Sequence, residues 1–132
     1  MHIRFEPIAG KCGEIIEALM ASEDMPCDES ILFKIRLCIE EAAENVVRYA
    51  YEGGKGWIEV GTEQEGDALV ISMTDAGVAF NPLDKPDPDL PLSVEDRPIG
   101  GLGIFLCKKL MDSVEYSREG GLNCLKMKIK IN

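Results

Sequence analysis

Three short clusters in this sequence hold residue types that could do chemistry together. Glu41 and Asn45, in EEAAENVVRYAY, stand four residues apart, so on a helix they share one line of its surface. Asn45 falls at the border of the apolar stripe and Glu41 farther out. An amide oxygen at that border suits a hard cation such as Mg²⁺, with phosphates and waters completing the octahedron. A carboxylate one turn earlier could orient a water or accept a proton from an attacking hydroxyl. Asp75, in ISMTDAGVAFNP, follows an apolar run and meets Ala76-Gly77, which permits close approach of a ligand to backbone. Its carboxylate could accept a hydrogen bond from an exocyclic amine such as that of adenine. In GGLGIFLCKKLMD, Gly100, Gly101 and Gly103 feed an apolar helical pattern, and unpaired amides at a helix start favour an anion. Each cluster also has a plain explanation: a solvated acidic face, an Asp-Gly turn, a tight turn before a packed helix. Singly, none decides.

Two better-known phosphate motifs are absent. GxxxxGK[ST] does not occur, and GxGxxG fails because Leu106 stands where the third glycine belongs. The glycines also follow a proline-rich stretch rather than a strand, so the dinucleotide-binding context is missing.

The elements that must position these clusters can be read from periodicity. Residues 2–6, HIRFE, alternate as a short strand. A first helix is expected from about Ile8 to Ser22, with Ile15, Ile16, Leu19 and Met20 forming its apolar stripe. Asp28 or Ser30 can cap a second helix, on which Ile31, Ile35, Cys38, Ala42, Val46 and Tyr49 recur at helical spacing, ending where Gly53 and Gly54 can take a left-handed cap. WIEVGTEQ and ALVISMTD, joined by EGD, read as a hairpin. The segment at about 81–99 carries five of the seven prolines and seven charged residues, which bars helix and central strand and suits a long lid. A third helix follows from the glycines. SVEYSRE and LNCLKMKIKI form a second hairpin around Gly120-Gly121, with Lys126, Lys128 and Lys130 on its wet face. Hairpins joined by helices imply an α+β fold: a two-layer sandwich of a mostly antiparallel sheet with helices on one face.

Composition narrows the function classes. At 132 residues the chain is expected to form one domain, 1–132. A net charge of -10 argues against sequence-independent binding of nucleic acid or an anionic bilayer, both of which need clustered positive charge. An anion held by backbone amides and a metal ion remains compatible with it. Five scattered cysteines without CxxC, and a lone histidine at position 2, fit a reduced cytoplasmic setting and oppose a zinc site. The N-terminal MHIRFEPIAG lacks the apolar run of a signal peptide, and no stretch is long and apolar enough to span a membrane.

Order and spacing join the three clusters. A helix with E-x-x-x-N, a strand ending D-x-G-x-x-F, a long lid, then G-x-G opening a helix resembles the GHKL ATPases, the ATP domains of gyrases, chaperones, histidine kinases and mismatch-repair proteins. The resemblance runs from about Ile31 to Asn132. The wording N-V-V-R-Y-A-Y, D-A-G-V-A-F-N-P and R-P-I-G-G-L-G-I-F-L-x-x-x-L-M-D is similar to the stand-alone branch of anti-sigma factor serine kinases from partner-switching systems. That resemblance implies a histidine-kinase-like ATPase fold that binds ATP and Mg²⁺. It implies that Asn45 coordinates the Mg²⁺, that Glu41 is the general base for transfer to a protein serine or threonine, and that Asp75 recognises the adenine amino group. Gly77 would give the base room, and Gly101, Leu102 and Gly103 would present backbone to the phosphates. Residues 81–99 would be the ATP lid, with Arg97 a phosphate contact. The partner implied is a STAS-domain anti-anti-sigma protein, together with a sigma factor; homodimers are common in this branch.

Three positions depart from the family pattern. Tyr49 stands where many members have histidine, Ala79 replaces the second glycine of D-x-G-x-G, and Asn123 stands where larger relatives often carry a threonine near the base. These touch turnover more than binding. The competing reading is a nucleotide-regulated protein-binding module that transfers no phosphoryl group. A histidine-kinase catalytic domain is not expected, since no dimerisation helix with a phosphoacceptor histidine precedes the motifs.

Overall fold

A computed structural model describes residues 1–51, 55–84 and 101–131, with side chains from Gly103 onward in the last span. Its elements follow the order β1 (His2–Phe5), α1 (Cys12–Met20), α2 (Glu29–Asn45), β2 (Ile58–Glu65), β3 (Ala68–Asp75), α3 (Gly101–Leu110), β4 (Ser113–Glu119) and β5 (Leu122–Lys130). The five strands form one sheet in the order β1-β2-β3-β5-β4, and every neighbouring pair is antiparallel. The expected two-layer α+β sandwich is what forms.

Alternation decides which face of the sheet is buried. Along β3, Leu69, Ile71, Met73 and Asp75 are buried while Val70, Ser72 and Thr74 between them are less so. Along β5, Asn123, Leu125, Met127 and Ile129 are buried, and Lys126 and Lys130 reach solvent. The inward rows pack against Ile15 and Leu19 of α1, Ile35, Cys38, Ile39 and Ala42 of α2, and Cys107 of α3. Each fully buried isoleucine or leucine in that layer contributes roughly 1.5–3 kcal/mol relative to exposure. The thiols of Cys38 and Cys107 meet across the α2–α3 contact, packed as small hydrophobes among these residues.

Local backbone geometry sets where the first two helices start. The first helix begins at Cys12 rather than near Ile8, because Gly10 takes a positive φ of 76° and turns the chain. Ile8 nevertheless stays fully buried, its N–H bonded to the Gly56 carbonyl at 2.8 Å. Of the two candidate caps for α2, Asp28 does the capping, accepting from the N–H groups of Ser30 (2.9 Å) and Ile31 (3.1 Å). Both hairpins close through tight glycine turns: Gly66 has φ 64°, and Gly120 and Gly121 have φ 58° and 79°. Among the described residues, no helix is long and apolar enough to cross a membrane.

Candidate functional site

Asn45 is the last residue of α2, and the chain continues from it as one π-helical turn, Val46–Ala50. Such turns interrupt the 3.6-residue repeat and re-aim the side chains around them. The wheel set Asn45 at the border of the apolar stripe; in the fold it is only 4% exposed. Its amide has no hydrogen-bond partner among the described residues, yet neither amide atom is sealed from solvent, so it opens into the adjoining pocket. The Tyr49 ring stacks on Phe80, centroids 4.7 Å apart at 21°.

The end of this turn is fastened to the end of β3. The Ala50 carbonyl accepts from the Val78 N–H at 2.9 Å. The Tyr51 hydroxyl donates to the Trp57 carbonyl at 2.6 Å and accepts from the Ala76 N–H at 2.7 Å. Backbone therefore passes so close at Gly77 that a methyl group there would overlap the Ala50 carbonyl. Glycine is required at this position by that approach alone.

Asp75 occupies the last inward position of β3, 4% exposed, and its cross-strand partner on β5 is Asn123, exposed to the same 4%. One carboxylate oxygen, Oδ1, accepts from the Gly77 N–H and from Asn123 Nδ2, each at 2.9 Å. The other, Oδ2, has no hydrogen bond among the described residues and is open to the pocket. Burial pushes the Asp75 pKa up, while the Asn123 and Gly77 hydrogen bonds and the nearby Arg118 guanidinium hold it down. Arg118 also donates to the Gly77 carbonyl at 2.8 Å.

Asn45, Asp75, Asn123 and Tyr116 edge a pocket whose walls are Ala42, Val46, Met73, Phe80, Pro82 and Leu125. An apolar slot with a few convergent polar groups is the usual form of a small-molecule site. The slot is narrow, with room for little more than a water molecule.

Glu41 lies one turn before Asn45, half-buried, facing α3. A methyl group on Gly103 would overlap its carboxylate. Burial raises the Glu41 pKa, and the like charges of Glu44 and Glu40 raise it further, against a smaller opposing effect of Arg48. The arrangement brings Glu41, Asn45, Asp75, Gly77 and Gly103 to one end of the sheet, with the backbone of Gly101 and Leu102 in the first turn of α3. Most of the segment expected as a lid, and Arg97 with it, lies outside the described residues. The periodicity gave no role to Asn123 or Tyr51. Asn123 had a usable signal, since it falls two residues before Leu125 in the buried row of β5; Tyr51 had none.

Residues 9–129 match the histidine kinase-like ATPase domain. The chain belongs to that family. Among curated relatives of this ATPase domain, it is 34% identical over 98 residues to the serine-protein kinase RsbW of Bacillus cereus, covering 71% of this chain and 61% of the relative. It is 31% identical over 94 residues to the serine/threonine-protein kinase BtrW of Bordetella bronchiseptica, covering 70% and 66%. The chain thus matches somewhat under two thirds of each relative's length. The fold is also that of solved ATPase domains. The catalytic domain of histidine kinase ThkA aligns with a TM-score of 0.57 over 99% of this chain and 96% of that one, at 13% identity. The blue-light activated histidine kinase of Erythrobacter litoralis aligns at 0.60, over 95% and 42%, at 18% identity.

Proposed function

We propose that this histidine kinase-like ATPase domain is an ATP-dependent serine/threonine protein kinase of the anti-sigma type, acting in the cytoplasm on a STAS-domain partner. The observation that carries the reading is the placement of Glu41 and Asn45 on one line of α2, the first against the glycine opening of α3 and the second in the pocket closed by Asp75. In this reading Asp75 Oδ2 accepts from the adenine amino group, Gly77 lets the base lie against backbone, and the amides of Gly101, Leu102 and Gly103 face the phosphates. Residues 81–99 close over the nucleotide.

The donor set is compatible with Mg²⁺ carried in by the nucleotide. Asn45, a buried residue, offers an amide oxygen that opens to the pocket and has no hydrogen-bond partner among the described residues, which contain no cluster of three or more acidic, histidine or cysteine ligands. One protein oxygen plus phosphates and waters is an ordinary Mg²⁺ arrangement. When bound, the ion neutralises charge on the phosphates. Glu41 accepts the proton of the attacking serine hydroxyl as the serine oxygen takes the γ-phosphoryl group and ADP leaves. A carboxylate with a raised pKa is a better base for that task than an unperturbed one.

The test is transfer of labelled phosphate from γ-labelled ATP to STAS-domain proteins of the same genome, with wild type and Glu41→Gln. Transfer that depends on Glu41 supports the kinase. ATP binding with no transfer to any STAS protein would instead establish the nucleotide-regulated binding module.

A further inference from the structure

Two of the five free cysteines meet in the core. Cys38 on α2 and Cys107 on α3 are both fully buried, and their thiols are hydrogen-bonded to each other across the seam between the helices. Neither takes part in the chemistry proposed above, yet each stands one turn from a residue that does. Cys38 precedes Glu41 by three residues on α2, and Cys107 follows Gly103 by four on α3. Residues at those spacings share one helix face. The Cys38–Cys107 and Glu41–Gly103 contacts are therefore successive rungs of one antiparallel helix pair, about 5 Å apart along the axes. At one rung a carboxylate fills the space over a glycine; at the next, two sulfurs already touch. A disulfide needs sulfurs that face each other from closely spaced backbones, and this pair does so.

The two thiols are not equivalent. The hydrogen bond from the Cys107 thiol lowers the Cys38 pKa, against burial and the Glu41 charge, and the same bond raises that of Cys107. Cys38 is thus the attacking sulfur. With hydrogen peroxide, it takes one oxygen as the O–O bond breaks, giving a sulfenic acid and releasing a water. The Cys107 sulfur then attacks that of Cys38: the S–S bond forms, the S–O bond breaks, and a second water leaves with the Cys107 proton. Two thiols lose two electrons, and one peroxide is reduced to two waters. Both sulfurs are sealed from solvent, so this small oxidant reaches them as the seam opens locally.

We propose that Cys38 and Cys107 form a reversible redox switch, responsive to hydroperoxides, whose disulfide ties α3 to α2 one rung from Glu41. The first turn of α3 carries Gly101, Leu102 and Gly103, so the link restrains that backbone against the Glu41 carboxylate. The link depends on the helix seam alone; its effect on phosphoryl transfer rests on the kinase reading above.

The experiment treats the folded Cys12→Ser/Cys27→Ser/Cys124→Ser protein, which keeps only this pair, with hydrogen peroxide and then with dithiothreitol. Wild type with peptide mapping serves if that variant does not fold. Mapping should find Cys38 joined to Cys107. Amide hydrogen exchange in α3 should slow by about tenfold or more. Transfer of labelled phosphate should fall by about tenfold or more, because the base and the phosphate backbone can no longer adjust to each other. Dithiothreitol should reverse all three, and adding either Cys38→Ala or Cys107→Ala should abolish the response. Absence of the link in the folded protein would overturn the switch, as would a link that leaves α3 exchange, or the transfer of an active chain, unchanged. A reduced protein that transfers phosphate to no STAS protein would overturn the kinase reading alone, since the link and the exchange are read without activity.

Discussion

Glu41 and Gly103 are in contact across the α2–α3 interface, with no space for a side chain on the glycine. The carboxylate of one helix thus lies against the first turn of another, where backbone amides face outward unpaired. The proposed phosphoryl transfer needs a base and a phosphate cradle as neighbours, and this contact is the feature that supports that reading.

Glu41→Gln should abolish most transfer and spare nucleotide binding, because Glu41 does not line the pocket edged by Asp75. Loss of a general base costs about 10²–10⁴-fold in rate. Single-turnover transfer and calorimetry on the same preparation separate the two effects; a matching loss of ATP affinity would place Glu41 in binding instead.

Two glycine substitutions should behave differently. In Gly77→Ala the new methyl meets the Ala50 carbonyl, which is held by the Val78 N–H, so backbone must move. A cost of roughly 1–3 kcal/mol is expected in a urea melt. In Gly103→Ala the methyl meets the end of a flexible side chain, so stability should change little while displacement of the Glu41 carboxylate slows transfer. Equal melting midpoints for the two variants would contradict this difference.

Asp75→Asn should weaken Mg-ATP binding by about tenfold or more, since an N–H₂ replaces the acceptor oxygen open to the pocket. Its effect on the unliganded protein should be neutral or stabilising at neutral pH. The folded-state pKa of Asp75 is raised, so the native state binds more protons than the unfolded chain, and stability falls as pH rises from the unfolded toward the folded value. Above that window the ionised carboxylate carries a penalty that asparagine lacks, while Oδ1 still accepts from Gly77 and Asn123. Thermal melts of both proteins at neutral and acidic pH check the sign.

The rate of transfer should rise with pH as Glu41 loses its proton, with a midpoint above its ordinary value of 4.5. Glu44→Gln and Glu40→Gln should each move that midpoint down, because both carboxylates repel the ionised form. Burial is the larger cause and stays, so the midpoint should not return fully to 4.5 in either variant. A pH–rate profile insensitive to both substitutions would assign the ionisation to another group.

Tyr51→Phe removes the hydroxyl that bridges Trp57 and Ala76 and should cost about 1–2 kcal/mol, near the usual value for two hydrogen bonds. The loosened end of β3 should also weaken ATP binding. Stability and affinity measured together test whether that clamp serves the site.

Local pattern alone determined much of this protein. The alternation of β3 and β5, the helical spacing along α2 and the glycine turns specified the elements and their inward faces, because each depends on residues within a turn or two of one another. The order Glu41, Asn45, Asp75, Gly103 was likewise enough to name the histidine kinase-like ATPase family. What no local pattern contains is which residues meet. Asn123 faces Asp75 through the β3–β5 register, 48 positions apart in the chain. Asn45 shares a pocket with Met73 and Asp75 of β3, and Tyr51 and the Ala50–Val78 bond fasten the turn that follows it to the end of that strand. Glu41 meets Gly103 only because α2 and α3 pack side by side on one sheet. Periodicity reports the direction a side chain leaves its own element; packing of the elements decides what it finds there.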